Sequence, residues 1–485
     1  MTVRVLRNHI DGQWVKSSSR ETAEMRSPAD LQETICRFQL SGREDARRAI
    51  DAASAAFPGW AAATAFRRAE ILGRALAAIV RRQDEIADIL TRENGKTLRE
   101  ARGEVASAIK EMEWQIAEGR RLFGQTIPSE RDGVFAYTIR QPLGVVGIIS
   151  PWNFPLSVPC RKCVPALMAG NAVVFKPSSL TPGPGVFFVE AFEEAGLPRG
   201  VLNLVTGPGG TVGDELVTNK TIRAVSFTGS TPVGVEIHAK AAAILARAQL
   251  EMGGKNPVVV LADADLDAAA DATVTAAYAC AGQWCTSTSR ALVEAPVLES
   301  FQEKVLRRVA AIRVGDGRDP ATTMGPVCGE AQLRTVLAYI EKGVEEGAAL
   351  AHGGRRLADG ALAHGCFVEP TVFAGVRPEM AIAREEIFGP VLAVIRVEDF
   401  EDAVTTANDI AFGLASSVYT SSLERALSFV ERTEAGLTHV NMPTAHKEPQ
   451  LPFGGIKASG AGPPEAGATG LEFFSRHKAV YIKYR

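Results

Sequence analysis

Cys285 has the neighbours that a cysteine nucleophile needs. It lies in the segment 281–287 (AGQWCTS), whose small and polar residues could hold a thiol on a tight turn. A thiolate adds to an aldehyde carbonyl, and the resulting tetrahedral alkoxide can expel a hydride to a nicotinamide and leave a thioester. A lone cysteine is by default a small buried hydrophobic residue, so this segment alone leaves both interpretations open.

Glu251 is the candidate for the base that a thioester needs in order to react with water. It lies in the segment 250–257 (LEMGGKNP), among small residues at the junction between two predicted α/β regions, where clefts form. An isolated carboxylate is more often part of the solvated surface. The glycine pair beside it favours the catalytic interpretation.

The segment 151–155 (PWNFP) directly follows a strand that we predict over 145–149. It places the amide of Asn153 at the carboxyl end of a parallel strand, where ligands bind in α/β proteins. This amide could donate a hydrogen bond to a developing oxyanion. The alternative is an ordinary turn between two prolines.

The segment 227–234 (FTGSTPVG) is a candidate phosphate site, because it ends a predicted strand and begins a helix. Gly229 permits close approach, and the helix N-terminus that starts near Ser230 presents free N–H groups. The spacing is G-x-x-x-x-G and not G-x-G-x-x-G, so alone it is a weak signal. Lys176, at the end of the predicted strand 172–175, could reach a ribose or a phosphate.

Helices and parallel strands are predicted to position these residues. Between 42 and 123, apolar residues recur every three or four positions, which predicts helices with a break at 93–96 (ENGK). The next third alternates short apolar runs with helical patterns, which is typical of a doubly wound nucleotide-binding domain. Its predicted strands are 145–149, 172–175, 201–205 and 224–227, with crossover helices at 183–195 and 210–218.

After Pro257, short apolar runs again alternate with helical patterns, which predicts a second α/β domain. Its predicted elements are strands at 258–261, 291–294, 411–419 and 437–441, and helices from about 266 and over 301–312. The segments 134–140 and 478–484 alternate as strands and belong to neither domain. They form either a hairpin within the subunit or a sheet that bridges subunits.

Composition points to a small-molecule partner. The formal net charge of −3 offers no attraction for nucleic acid or an anionic membrane, and no apolar run approaches the length of a membrane span. Seven cysteines without paired spacing suit the cytoplasm. No metal site is predicted, because Cys160-x-x-Cys163 lacks a second pair and the histidines are scattered.

With PWNFP, FTGS, LEMGGKNP, GQWC, EEIFGP and PFGGIKASG in that order, the chain resembles the aldehyde dehydrogenase superfamily over essentially its whole length. The resemblance implies that Cys285 is the nucleophile and Glu251 the general base. It implies an oxyanion hole made by Asn153 and the Cys285 backbone N–H. Lys162 matches a family position linked to the proton path.

The resemblance also implies a set of cofactor-binding residues, which are Trp152, Lys176, Ser179, Gly229, Ser230, Glu386 and Phe388. Many relatives that prefer NAD carry glutamate where this chain has Ser179, three residues after the ribose lysine. A glutamate there would repel a 2′-phosphate. We therefore expect NAD or NADP as cofactor, with NADP tolerated and a preference for it left open.

The implied architecture has a cofactor domain (1–123 and 142–253), a catalytic domain (254–453) and oligomerisation strands (124–141 and 469–485) in a homodimer or homotetramer. Within the superfamily, the sequence as a whole most resembles those of bacterial α-ketoglutarate semialdehyde and succinate semialdehyde dehydrogenases. Arg161 matches an arginine that grips a distal carboxylate in some relatives. A second such arginine is replaced by Ala279, and Trp284 could instead line the tunnel for other aldehydes.

The best prediction is therefore oxidation of a dicarboxylic semialdehyde to the acid. Aromatic aldehydes of the benzaldehyde or vanillin type and small hydroxy-aldehydes such as lactaldehyde or glycolaldehyde remain alternatives. A CoA-acylating enzyme typically lacks the water-activating glutamate, so Glu251 favours hydrolysis. Ester hydrolysis without a cofactor is a further alternative, but it would give the nucleotide-binding pattern no function. A non-catalytic binding protein is another alternative, but it would not need Cys285, Glu251 and Asn153 together.

Overall fold

The computed structural model of this protein describes residues 3–485, so residues 1 and 2 of the first predicted domain lie outside it. The α-helices in the described range are α1 (Arg43–Ala62), α2 (Ala65–Arg81), α3 (Gln83–Asn94), α4 (Leu98–Glu118), α5 (Ser157–Met168), α6 (Pro182–Glu194), α7 (Asp214–Thr218), α8 (Thr231–Ala243), α9 (Leu266–Tyr278), α10 (Leu298–Val309), α11 (Glu330–Glu345), α12 (Ala381–Arg384), α13 (Phe400–Asn408), α14 (Leu423–Arg432) and α15 (Gly467–Phe473).

The strands of the same range are β1 (Arg4–Val5), β2 (Asn8–Ile10), β3 (Gln13–Val15), β4 (Thr22–Arg26), β5 (Thr34–Gln39), β6 (Thr126–Ile127), β7 (Val134–Pro142), β8 (Val145–Ile149), β9 (Ala172–Lys176), β10 (Leu202–Leu204), β11 (Ile222–Thr228), β12 (Arg247–Glu251), β13 (Asn256–Val260), β14 (Thr288–Glu294), β15 (Ala349–His352), β16 (Arg356–Leu357), β17 (Phe367–Val368), β18 (Thr371–Ala374), β19 (Val391–Val397), β20 (Phe412–Gly413), β21 (Ala415–Tyr419), β22 (Leu437–Val440), β23 (Ile456–Lys457), β24 (Gly460–Ala461) and β25 (Ser475–Lys483).

The first large sheet has the strand order β24-β12-β11-β8-β9-β10-β2-β3. Its five central strands are parallel, and antiparallel strands close both edges. Strands β8 and β9 are fully buried, as near-continuous apolar runs predict for parallel strands covered on both faces. This is the first of the two α/β sheets that the sequence predicts.

The second large sheet has the order β15-β18-β19-β14-β13-β21-β22 and is parallel except for β15. Helices α9, α10 and α13 pack against it. Buried valine, isoleucine and leucine side chains of β13, β14 and β19 form the centre of its core. The predicted α/β class with two doubly wound sheets is confirmed.

A small antiparallel sheet of order β25-β7-β6 lies apart from both. Strand β25 pairs with β7 along nine residues, so the two unassigned sequence segments find each other within one chain. Apolar side chains stay exposed on this sheet, among them Ile127, Phe135, Tyr481 and Ile482. Pairing within the chain leaves this apolar surface available for a further contact.

The sequence patterns miss or misplace several features, among them the strands β12, β18 and β19 of the two large sheets, which no predicted strand covers. Strands β2 and β3 extend the first sheet, although the N-terminal segment carries no clear strand signal. The predicted crossover helix 210–218 is confirmed as helical, although it begins as a π-helical turn at Gly209–Gly213 and continues as α7 from Asp214. The predicted strand 411–419 breaks at Leu414, because β20 pairs with β23 while β21 stays in the second sheet. Within residues 3–485, no helix is both long and apolar enough to cross a membrane.

Candidate active site

The turn before Cys285 is built from three residues with left-handed backbone conformation. Cys280, Ala281 and Gly282 have φ values of 51°, 55° and 69°. A Cβ atom on Gly282 would lie 2.1 Å from the carbonyl oxygen of Gly389, so only glycine fits there. The two left-handed residues before it cost conformational energy, of the kind that clusters at functional sites. The turn ends by presenting Cys285 to a cavity.

Asn256 fixes the backbone that carries the thiol. Its amide nitrogen donates to the carbonyls of Cys285 and Ser287, both at 2.8 Å, and its oxygen accepts from the N–H of Ala415 at 3.0 Å. One side chain of the LEMGGKNP segment therefore holds the backbone of the candidate nucleophile. The same segment supplies Glu251 at the end of β12.

Asn153 lies beside the nucleophile, as predicted. It follows β8 and is buried, and its amide nitrogen donates to the carbonyl of Gln283 at 3.0 Å. Because an amide has two N–H groups, one remains available for an oxyanion. Asn153 and Cys285 line the same cavity.

Two buried charges hold the Asn153 turn in place. Lys96 donates to the carbonyl of Asn153 at 2.7 Å and to the carboxylate of Glu104 at 2.6 Å. The other oxygen of Glu104 accepts from the backbone N–H groups of Leu156 and Ser157, at 2.9 and 3.1 Å. Glu104 thereby satisfies free donors at the start of α5, which has no side-chain cap of its own.

A cavity of about 530 Å³ brings most of the predicted site together. The predicted residues that line it are Trp152, Asn153, Arg161, Gly229, Ser230, Glu251, Trp284, Cys285, Glu386 and Phe388. Lys162, Lys176 and Ser179 do not line this cavity. Its volume is in the range of small-molecule and cofactor sites.

Glu251 is buried in this cavity, and its Oε2 atom has no hydrogen-bond partner within the described residues. Burial, and then the neighbouring carboxylate of Glu465, raise the pKa of Glu251 well above its usual range. A buried, unpaired carboxylate with a raised pKa is a suitable proton acceptor. It is free to bind a water molecule or a substrate atom.

The thiol of Cys285 is held in the neutral form by its surroundings. Burial raises its pKa to about 12, and the carboxylates of Glu386 and Glu251 act in the same direction. The guanidinium of Arg161 acts against them and lowers the pKa. Arg161 is therefore close enough to Cys285 to favour the thiolate.

Arg161 and Lys162 share one carboxylate that the sequence analysis did not identify. Glu465 lies 2.8 Å from Arg161 Nε and forms a close ion pair with Lys162. Lys162 also donates to Ser226 at 2.8 Å and is fully buried. The guanidinium of Arg161 stacks on the ring of Phe453, 4.3 Å from its centre. Lys162 thus belongs to a buried charge network behind the cavity.

Lys176, Gly229 and Ser230, three of the residues expected to bind the cofactor, lie where parallel strands of the first sheet end. Ser230 precedes α8, with Pro232 in its first turn, and Gly229 is held by a hydrogen bond to the carbonyl of Glu251 at 3.1 Å. A second cavity of about 490 Å³ is lined by residues of β8, β11, α7 and α8. The Cδ atom of Lys176 lies 3.7 Å from where a Cβ atom on Gly213 would be. Gly213 lines the second cavity, so the Lys176 side chain lies beside that cavity.

Glu386 is fixed by the glycine pair of LEMGGKNP. Its Oε1 accepts from the N–H of Gly254 at 2.8 Å, and a Cβ on Gly253 would lie 2.1 Å from its Oε2. Phe388 has a φ of 56° and packs edge to face on Trp152, with ring centres 5.3 Å apart. Gln332 donates to the carbonyl of Phe388 at 2.8 Å. A carboxylate and an aromatic edge thus face the cavity opposite Ser230.

A dinucleotide fits these residues on three structural grounds. Two cavities of suitable volume lie along the same strand ends, where α/β folds bind nucleotides. The N-terminus of α8 offers free N–H groups to a phosphate. The glycine at 253 leaves room for Glu386, whose carboxylate can accept hydrogen bonds from ribose hydroxyls.

Several positioning residues have no local sequence signal. Lys96, Glu104, Gln332 and Glu465 act on partners more than 50 residues away in the chain or on more than one element. Asn256 could have been selected, because it lies in the same motif as Glu251. The others become recognisable only after the chain has folded.

Three comparisons place the chain among known proteins. A family model described as "Aldehyde dehydrogenase family" matches residues 14–480. The chain is 45% identical to "Alpha-ketoglutaric semialdehyde dehydrogenase" of Bacillus subtilis over 98% of each chain. It is 41% identical to "Alpha-ketoglutarate semialdehyde dehydrogenase" of Haloferax volcanii over 99% of each chain. A crystal structure described as "E. coli NADP dependent enzyme" superposes with a TM-score of 0.96 and 36% identity, covering 99% of this chain and 98% of that one.

Proposed function

Because this chain belongs to the aldehyde dehydrogenase family, an NAD(P)-dependent family, we propose that it oxidises a dicarboxylic semialdehyde to the acid, with Cys285 as nucleophile. One observation carries this proposal. A single cavity contains a thiol, an amide with a free N–H group, a buried unpaired carboxylate and a cation beside them. These are Cys285, Asn153, Glu251 and Arg161.

In the first step, Cys285 releases its thiol proton to solvent and its sulfur adds to the aldehyde carbon, whose carbonyl oxygen becomes the oxyanion. The positive charge of Arg161 favours the thiolate against the effect of burial. The remaining N–H of the Asn153 amide and the backbone N–H of Cys285 stabilise the oxyanion. A bound nicotinamide supplies the hydride acceptor that converts this adduct to a thioester.

In the second step, Glu251 removes a proton from the water that attacks the thioester. Its raised pKa gives it the proton affinity that a base needs near neutral pH. Glu465 is near enough to raise that pKa, and it contacts Lys162, whose burial lowers its own pKa. We propose that this buried network takes the proton onward from Glu251.

The relatives support the substrate class, because the two reported above are named for α-ketoglutarate semialdehyde. Arg161 supports it physically, since it lines the cavity and can pair with a carboxylate. The aromatic rings of Phe154 and Trp284 pack at 4.8 Å between ring centres and give the cavity an apolar wall. A short carbon chain between an aldehyde and a carboxylate fits this arrangement.

The proposal predicts that semialdehydes are the best substrates. Initial rates of NAD(P)H formation should give kcat/KM values about tenfold or more higher for α-ketoglutarate or succinate semialdehyde than for benzaldehyde and glycolaldehyde, since one charged hydrogen bond is worth roughly 1.5–3 kcal/mol. The product should be the free acid, with the same rate whether or not CoA is present. Equal kcat/KM values across the panel would contradict the substrate class.

We also propose that the enzyme uses NADP. Ser179 donates to the carbonyl of Gly207 at 3.2 Å and brings no negative charge near Lys176. The nearby carboxylate Asp214 is paired with Arg43 and with Lys240, so it does not oppose a phosphate. Burial lowers the pKa of Lys176 to about 8, and a bound phosphate would favour its charged form.

Replacing Ser179 with glutamate should therefore lower kcat/KM for NADP at least about tenfold relative to NAD, because a carboxylate would face the 2′-phosphate. Ser179→Gln, which has the same size without the charge, is the control. If both variants change the NADP to NAD ratio equally, charge is not the cause. Failure of the parent protein to use NADP would remove the proposal.

The apolar surface of the β25-β7-β6 sheet supports a proposed homodimer or homotetramer. Sedimentation of the purified protein tests it. A monomer at micromolar concentration would contradict it. We further propose that residues 1–123 and 142–253 form a cofactor-binding domain and that residues 254–453 form a catalytic domain. Residues 124–141 and 469–485 would form the oligomerisation strands.

A further inference from the structure

Lys447 is a second cation at the cavity, and no motif of the sequence points to it. It lines the cavity together with Ala445 and His446, and its side chain is 21% exposed, whereas that of Arg161 is 5% exposed. Lys447 therefore lies nearer to solvent than Arg161. The two cations mark an outer and an inner position of the same cavity wall.

The segment that carries Lys447 is tied to the nucleophile. The hydroxyl of Thr444, which is fully buried, donates to the carbonyl of Thr286 at 2.7 Å and contacts the hydroxyl of Thr288 at 2.8 Å. Thr286 directly follows Cys285 in the chain. Lys447 thus has a fixed place relative to the sulfur and is not a side chain of a loose loop.

The carboxylate nearest to Lys447 lies too far from its ammonium group to form a strong hydrogen bond with it. The nearest carboxylate, Glu111, lies 3.6 Å from Lys447 Nζ, which is longer than the roughly 2.8 Å of a charge-assisted hydrogen bond. The Oε2 atom of Glu111 has no hydrogen-bond partner within the described residues. Lys447 has three N–H donors, so at least two remain for a ligand.

The surrounding charges lack one negative partner. Three cations, Arg161, Lys162 and Lys447, face two carboxylates, Glu465 and Glu111. Glu104, farther along α4, is already in contact with Lys96.

Below its raised pKa, Glu251 is protonated and does not supply the missing charge, and it acts as a base only in the carboxylate form that is present above that pKa. Burial, and then the charge of Arg161, lower the pKa of Lys447. That direction is typical of a cation with too few anionic neighbours. An anion bound between Arg161 and Lys447 would supply the missing negative charge.

We propose that Lys447, together with Arg161, binds the terminal carboxylate of the semialdehyde substrate and makes the enzyme selective for anionic aldehydes. This inference rests on the proposed function and adds a specificity-determining residue to it. The aldehyde end lies at Cys285, the carbon chain passes the rings of Phe154 and Phe453, and the carboxylate meets the two cations. Arg161 is a poor probe of this subsite, because its removal also unpairs Glu465 and removes the charge that favours the Cys285 thiolate.

The test compares substrates that differ only in charge. For each pair, glutarate semialdehyde with pentanal and succinate semialdehyde with butanal, the ratio of kcat/KM values measures selectivity for the carboxylate. Lys447→Met should lower that ratio about tenfold, mainly through KM of the charged aldehyde, since a lost charged hydrogen bond is worth roughly 1.5–3 kcal/mol. Lys447→Arg should retain most of the ratio. Lys110→Met, at an exposed position of α4 outside the cavity, is the matched control and should leave it unchanged.

Two further variants keep the result interpretable. Lys447→Met leaves Glu111 unpaired, so the double variant Lys447→Met with Glu111→Gln is measured if the single variant is unstable. Lys447→Glu should reverse the selectivity and favour 4-aminobutanal over succinate semialdehyde, which loss of structure alone cannot do.

An unchanged ratio in Lys447→Met, with a parent enzyme that prefers semialdehydes, would overturn this inference and leave the proposed function intact. A parent enzyme with no preference for carboxylates would instead overturn the proposed substrate class. A parent enzyme that oxidises none of the four aldehydes would overturn the proposed function itself.

Discussion

Cys285→Ser should lower kcat for aldehyde oxidation at least about 1,000-fold, because the covalent step has no substitute in this cavity. A serine hydroxyl is a much weaker acid than a thiol, and the Arg161 charge cannot ionise it at neutral pH. The sulfur is needed twice, as the attacking atom and as the leaving group of the thioester. The measurement is the initial rate of NAD(P)H formation with a saturating semialdehyde.

Two observations separate lost chemistry from lost structure. Cys163→Ala, at a fully buried cysteine of α5 outside the cavity, is the matched control and should keep near-parental kcat if it folds. The Tm of Cys285→Ser should stay close to that of the parent, since the half-buried thiol makes no hydrogen bond on which the turn depends. Oxidation of aldehydes by Cys285→Ser at the parent rate would refute the covalent mechanism.

Glu251→Gln should lower the steady-state kcat by roughly 100- to 10,000-fold while sparing the first turnover, because the amide cannot accept a proton from water. Hydride transfer does not need this base, so each active site should form one equivalent of NAD(P)H in a rapid burst. Intact mass spectrometry should then find the acyl group on the protein, attached at Cys285. Addition of hydroxylamine, which needs no base to attack a thioester, should restore turnover.

The pH dependence distinguishes a base from a structural residue. The pKa of Glu251 is raised, so the fraction in the active carboxylate form grows as the pH rises towards and through that pKa. The rate of deacylation in the parent should increase over that range, and Glu251→Gln should lose this dependence. Because the substitution also removes repulsion with Glu465, no loss of Tm is expected.

Glu113→Gln, at an exposed position of α4, is the control for this experiment and should keep the parental burst and steady state. A Glu251→Gln protein without a burst would show that Glu251 acts before the thioester forms. A variant with parental kcat would remove Glu251 from the mechanism.

Local patterns in the sequence were sufficient for many of the elements and for the residues that we propose to react. Short apolar runs predicted the strands β8, β9 and β11, and apolar residues that recur every three or four positions predicted the helical region that contains α1 to α4, because each pattern reflects which side chains of one element are buried. Asn153 was predicted because it follows directly on a predicted apolar strand, and Glu251 because a glycine pair lies beside it at the junction of the two predicted α/β regions. The glycines at 253 and 282 could be noticed, but not the atoms that exclude a Cβ from them.

Tertiary structure alone decided what supports those atoms. Glu104 from α4 satisfies the start of α5, Asn256 holds the carbonyl of Cys285, and Glu465 returns from the C-terminal segment to pair with Arg161. None of these contacts is local, so no periodicity or spacing encodes them. The same holds for Lys447, which looks like a surface lysine in the sequence.

The sequence by itself thus determined the α/β class and the candidates for nucleophile and base, since each depends on residue types within a few positions of one another. The fold decided the charge environment, because a pKa depends on burial and on every ionised group within a few ångströms, wherever it lies in the chain. This is why Cys285 could be identified as a candidate from its neighbours in sequence. The pairing of Glu465 with the Arg161 side chain, and the place of Lys447 at the cavity wall, depend on contacts between segments that are distant in the chain.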